Sequence, residues 1–108
     1  MKKKLKSSGN GWELYFDKPL LKLLSYNPDE TKVLITAKND CLVVEPIEEK
    51  EIEKHPYSMI KGFQKSGKNG RALYFPTSLI DYIEITPDAE LLDIVIDGNI
   101  MYIRKAQP

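Results

Sequence analysis

The 108-residue sequence predicts a mainly β domain with short helices, a small closed β-barrel made by two β-α-β-β repeats about a pseudo-twofold axis. Three observations carry that expectation. The length is that of one ordinary domain, and halves of about 50 residues would each be marginal alone. Sliding the chain by 59 positions aligns Lys6 to Pro46 with Lys65 to Lys105 without a gap, giving 11 identities over 41 positions. Each copy then shows a strand pattern, a helix pattern and a hairpin pattern in the same order. The expected organisation is a single domain over residues 1–108, with one copy at 5–46, a connector at 47–62 and the second copy at 63–106.

The identities include Lys6/Lys65, Asn10/Asn69, Gly11/Gly70, Leu14/Leu73, Tyr15/Tyr74, Phe16/Phe75 and Leu20/Leu79. Trp12 to Phe16 and Arg71 to Phe75 alternate and are rich in aromatics, as strands are. Pro19 and Pro76 open two-turn helices, whose Leu20, Leu21, Leu23, Leu24 and Leu79, Ile80, Ile83 recur at one-turn spacing. Asn27-Pro28-Asp29 and Thr86-Pro87-Asp88 read as turns. Hairpins follow, with Val33 to Ala37 and Cys41 to Glu45 around Lys38-Asn39-Asp40, and Leu92 to Ile96 and Ile100 to Arg104 around Asp97-Gly98-Asn99. Val33/Leu92, Ile35/Ile94 and Ala37/Ile96 are expected to point inward, because the other register carries Thr36 and Asp93. The charged stretch at 48–54 is expected to be a solvated connector with at most a helical turn before Pro56.

Charge is balanced in total and uneven in place. Residues 1–11 hold Lys2, Lys3, Lys4 and Lys6, and residues 61–71 hold Lys61, Lys65, Lys68 and Arg71, with no acid in either stretch. The rest of the chain has 8 basic and 16 acidic residues, a net −8. Two basic leads into the first strands are the electrostatic footprint of a nucleic-acid binder, if the pseudo-dyad puts both on one face. Asn10 and Asn69 add amides that can approach phosphate.

Other classes draw less support. Cys41 and His55 are each alone, so neither a disulfide nor a metal cluster is expected, and no cofactor motif is visible. No nucleophile with a matching base pattern suggests an enzyme. The apolar runs are too short to span a bilayer and the lysine-rich start lacks an apolar signal run, so a cytoplasmic protein without membrane contact is expected.

The order Lys6-Ser7-Ser8-Gly9-Asn10-Gly11, Leu14-Tyr15-Phe16, Leu20 to Leu24, Asn27-Pro28-Asp29-Glu30 and Leu42-Val43-Val44-Glu45-Pro46 resembles the AbrB/MazE (SpoVT-AbrB) swapped-hairpin family of bacterial DNA-binding proteins. The second copy keeps Lys65, Asn69-Gly70, Leu73-Tyr74-Phe75-Pro76 and Asp97-Gly98-Asn99. Two copies in one chain are similar to the MraZ-type arrangement. The resemblance implies a swapped-hairpin, double-ψ-like barrel and a transcriptional regulator that holds double-stranded DNA. It carries DNA contact to Lys6, Asn10, Lys65 and Asn69, while Lys2, Lys3, Lys4, Lys68 and Arg71 are local additions and Tyr15 and Tyr74 stand near the groove where the family carries arginine. The alternative expectation is an antitoxin-like or inhibitory protein-binding module without strong DNA binding. Leu34, Val43 and Tyr102 are then its candidate surface, or that of a homo-oligomer. The end at Gln107-Pro108, shortly after the last expected strand, disfavours a tail-mediated antitoxin.

Overall fold

The computed structural model describes residues 1–48, 50–51, 59–67, 70–86 and 90–106. His55 and the expected turn at Pro87-Asp88 lie outside them. Among the described residues, ten strands and two short helices follow one another as β1 (Lys2–Lys3), β2 (Lys6–Ser8), β3 (Gly11–Phe16), α1 (Lys18–Leu24), β4 (Lys32–Lys38), β5 (Cys41–Ile47), β6 (Met59–Gly62), β7 (Gln64–Ser66), β8 (Gly70–Pro76), α2 (Thr77–Tyr82), β9 (Leu92–Asp97) and β10 (Ile100–Lys105). The fold is therefore mainly β. The leads are strands too, which makes each copy longer than β-α-β-β.

All pairings are antiparallel, in a six-stranded sheet β1-β9-β10-β5-β4-β6 and a four-stranded sheet β2-β3-β8-β7. Among the described residues the two ladders do not join into a closed barrel. They enclose one core instead. Leu14, Phe16, Leu73 and Phe75 come from the small sheet, and Val33, Ile35, Leu42, Val44, Leu92, Ile94, Met101 and Ile103 from the large one. Leu20, Leu21, Leu24 and Ile80 close it from the helices, and Phe63 meets Phe16 edge-on at 5.1 Å. Of the expected inward pairs, only Ala37 departs, lying exposed near the hairpin tip.

Local chemistry explains the elements. Asp17 caps α1, its Oδ1 accepting from the Leu20 N–H at 2.9 Å, and the left-handed Ser25 ends it with its N–H on the Leu21 and Lys22 carbonyls. In the following turn the Asn27 side chain bonds the backbone, its Oδ1 accepting from the Asp29 N–H at 3.2 Å. Asn39 and Asp40 both have positive φ, as a two-residue type I′ hairpin requires.

Register reveals the symmetry. Leu14 pairs with Leu73 and Val43 with Tyr102, and both pairs are 59 positions apart, so each residue faces its own counterpart. A pseudo-twofold axis runs through both sheets at these pairs. The copies also exchange strands, because β1 pairs with β9 while β6 pairs with β4.

The leads break the gap-free alignment. Lys3 pairs with Leu92 and Lys61 with Val33, so these lysines correspond at an offset of 58, whereas Leu92 and Val33 correspond at 59. Gly9 and Gly67, both at positive φ, open the following loops at the same offset of 58. The extra residue falls between β7 and β8, where Ser66 pairs with Gly70 while Ser8 pairs with Gly11.

Candidate nucleic-acid interface

Residues directly opposite in a sheet share a face, so register sorts the small sheet's side chains. Trp12, Leu14, Phe16, Leu73 and Phe75 face the core. Lys6, Ser8, Gly11, Glu13 and Tyr15 face outward with Gln64, Ser66, Gly70, Ala72 and Tyr74.

The centre of this outer face is built by the repeated Gly and Tyr. Tyr74 lies over Gly11, and Tyr15 lies over Gly70, whose added Cβ would overlap the Tyr15 ring. Each tyrosine thus crosses to the strand of the other copy and covers a glycine diagonally. Tyr15 remains 45% exposed. A structural reason for these identities therefore stands beside any contact they make with a ligand.

Two lysines join the tyrosines. Lys3 Nζ donates to the Tyr15 carbonyl at 3.2 Å, and Lys61 Nζ stands 5.2 Å from the Tyr74 ring centroid. Lys3 and Lys61 are counterparts at the offset of 58, so the two lysine–tyrosine pairs flank the pseudo-dyad. Lys61 belonged to the basic lead but was not among the expected contacts. The apolar spacing of Leu5 and Phe63, also 58 apart and both packed on the core, is the sequence signal for the true offset.

The other expected contacts do not share one face. Lys6 faces outward opposite Glu13, whose Oε1 accepts from Ser8 Oγ at 2.7 Å. Lys65 pairs with Arg71 and faces the reverse side, because a one-residue slip exchanges the faces. Arg71 is held by Asp29 at 3.2 Å and is largely covered, so it is the least available of the expected cations. Lys2 pairs with Asp93 in the large sheet, and Lys4 is exposed between β1 and β2. The Asn10 carbonyl accepts from Thr77 Oγ1 at 2.8 Å, which fastens its loop to α2 of the other copy. Lys68 and Asn69 lie outside the described residues.

Among the described residues, Lys4, Lys6 and Lys65 have no ion pair or side-chain hydrogen bond. The leads β2 and β7 form the two edges of the small sheet, three strand spacings or about 14 Å apart. That span is close to the roughly 12 Å width of a B-DNA major groove. Among the described residues, no group of three or more His, Cys, Asp or Glu is placed to hold a metal, and no helix is long and apolar enough to cross a membrane.

No family model, curated protein or solved structure matches the chain.

Proposed function

We propose that the chain is a DNA-binding regulator of the AbrB/MazE type, a fused pseudo-dimer that sets the outer face of its small sheet on double-stranded DNA. The swapped-hairpin, double-ψ-like barrel is the finer fold reading that goes with this assignment. The observation that carries it is the placement of Lys3 and Lys61 beside Tyr15 and Tyr74, on either side of a pseudo-dyad, with Lys4 and Lys6 on the same lead. Lysines at related positions suit phosphates on two strands of a duplex related by its own dyad. The exposed tyrosine then stands at the groove. Glu13 works against an anion, and its bond to Ser8 reduces its reach without removing its charge.

Replacing Lys3, Lys6 and Lys61 together with Ala tests the assignment in a gel-shift titration. DNA affinity is expected to fall at least a hundred-fold at low salt, while melting moves little, because Lys6 has no partner among the described residues and the single surface contacts of Lys3 and Lys61 are each worth little. Lys65→Ala, on the reverse face, is expected to cost far less. Equal affinity for the triple variant and the parent would remove the assignment. A protein-directed module is the second reading, favoured by apolar side chains on the outer face of the large sheet.

A further inference from the structure

The outer face of the small sheet differs between its two halves. Across the strands, Lys6, Glu13 and Tyr74 form one row, and Tyr15, Ala72 and Gln64 form the next. The pseudo-dyad at Leu14 and Leu73 lies between the rows and exchanges Tyr15 with Tyr74, Glu13 with Ala72 and Lys6 with Gln64. The tyrosines match, but the charged pair Lys6 and Glu13 answers to the neutral pair Gln64 and Ala72. The rows therefore carry equal net charge in unequal patterns.

Glu13 stands on a face proposed to meet phosphates, which repel a carboxylate. A carboxylate accepts hydrogen bonds and donates none. Its Oε1 accepts from Ser8 Oγ at 2.7 Å, which holds the side chain in place, and among the described residues its Oε2 has no hydrogen bond or ion pair. A duplex offers such an oxygen two amines in the major groove, cytosine N4 and adenine N6. Adenine N6 lies between two acceptors, its own N7 and the O4 of the paired thymine, and both repel a carboxylate. Cytosine N4 has an acceptor, guanine O6, on one side only. Position then narrows the contact. Glu13 is one residue along β3 from Leu14 and half a strand spacing off the axis, so its backbone is about 4 Å from the pseudo-dyad. A base pair rises about 3.4 Å, which sets Glu13 over the central few pairs of a site centred on that axis.

We propose, resting on the DNA reading above, that Glu13 accepts from a cytosine amine near the centre of the site and makes the two halves of that site unlike. Ala72, at the related position, is buried and has no polar side-chain atom, so the matching base in the other half goes unread. Ser8 is a positioning residue for the carboxylate.

Selection of bound duplexes from a pool randomised over its central base pairs tests it, with the parent, Glu13→Ala and Glu13→Gln. Ala72 shows that alanine fits the related position, so Glu13→Ala is expected to fold. The parent is expected to favour cytosine about tenfold at one central position, with no matching preference across the dyad. Glu13→Ala is expected to lose that preference alone while its overall affinity holds or rises. Glu13→Gln is expected to shift the preference to adenine, whose N6 and N7 suit an amide. A selected centre with the same preference in both halves, or a cytosine preference that survives Glu13→Ala, overturns the inference and leaves the DNA reading standing. So does a parent that shifts duplexes in gels without selecting any sequence. A parent that shifts no duplex at all overturns both.

Discussion

At Gly11 an added methyl group would lie 2.5 Å from Tyr74 Oη and 2.7 Å from the Phe75 carbonyl oxygen, and the latter belongs to a buried strand. At Gly70 the nearest obstacles are atoms of the Tyr15 side chain, which can swing into water. Gly11→Ala is therefore expected to destabilise the fold by about 1–3 kcal/mol, as overpacking does, and Gly70→Ala by clearly less. Urea unfolding of the two variants checks the order. Tyr26 supplies a second test. Its hydroxyl donates to the Asn99 carbonyl at 2.6 Å, and burial, with the nearby Glu45 charge, pushes its phenol up to about 12. A pKa raised on folding gives stability that is full below the ordinary value near 10 and is lost as pH climbs toward 12. The stability gap between the parent and Tyr26→Phe is expected to be widest below pH 10 and to shrink above it, which thermal melts across that range would show. Repetition of Gly and Tyr was plain in the sequence, but their packing partnership was not, since it depends on a diagonal contact between copies.

The two helices hold their first turns differently. Asp17 gives α1 a side-chain cap, while α2 begins after Pro76 with none. Asp17→Ala is expected to cost about 1 kcal/mol in denaturant unfolding, the ordinary worth of a cap. The strands β3 and β8, the helices and both hairpins were legible because alternation, proline and turn residues mark them locally. The leads were not, because β1 has two residues and β2 and β7 have three, and Lys2-Lys3, Lys6-Ser7-Ser8 and Gln64-Lys65-Ser66 carry no apolar alternation. Their pairing is set by partners far along the chain. The extra residue after β7 then reverses the face of Lys65 relative to Lys6, so matched letters do not make matched contacts.

Across the whole molecule the pseudo-dyad organises two faces. The small sheet presents lysine and tyrosine on either side of Leu14 and Leu73, and the large sheet presents an apolar row through Val43 and Tyr102. On the proposed DNA-binding reading the neutral net charge is no obstacle, since Asp29 and Asp93 are engaged by Arg71, Arg104 and the N-terminus, while Lys4 and Lys6 have no ion pair among the described residues. The most direct test of DNA contact through the leads is the salt dependence of affinity for a duplex. If Lys3, Lys4, Lys6 and Lys61 neutralise four phosphates, log K falls against log salt with a slope of about −3.6, roughly a hundred-fold between 50 and 200 mM. The triple variant lacking Lys3, Lys6 and Lys61 is expected to retain a slope of only about −1. A slope near zero for the parent, or an unchanged slope for the variant, would contradict phosphate contact by these lysines.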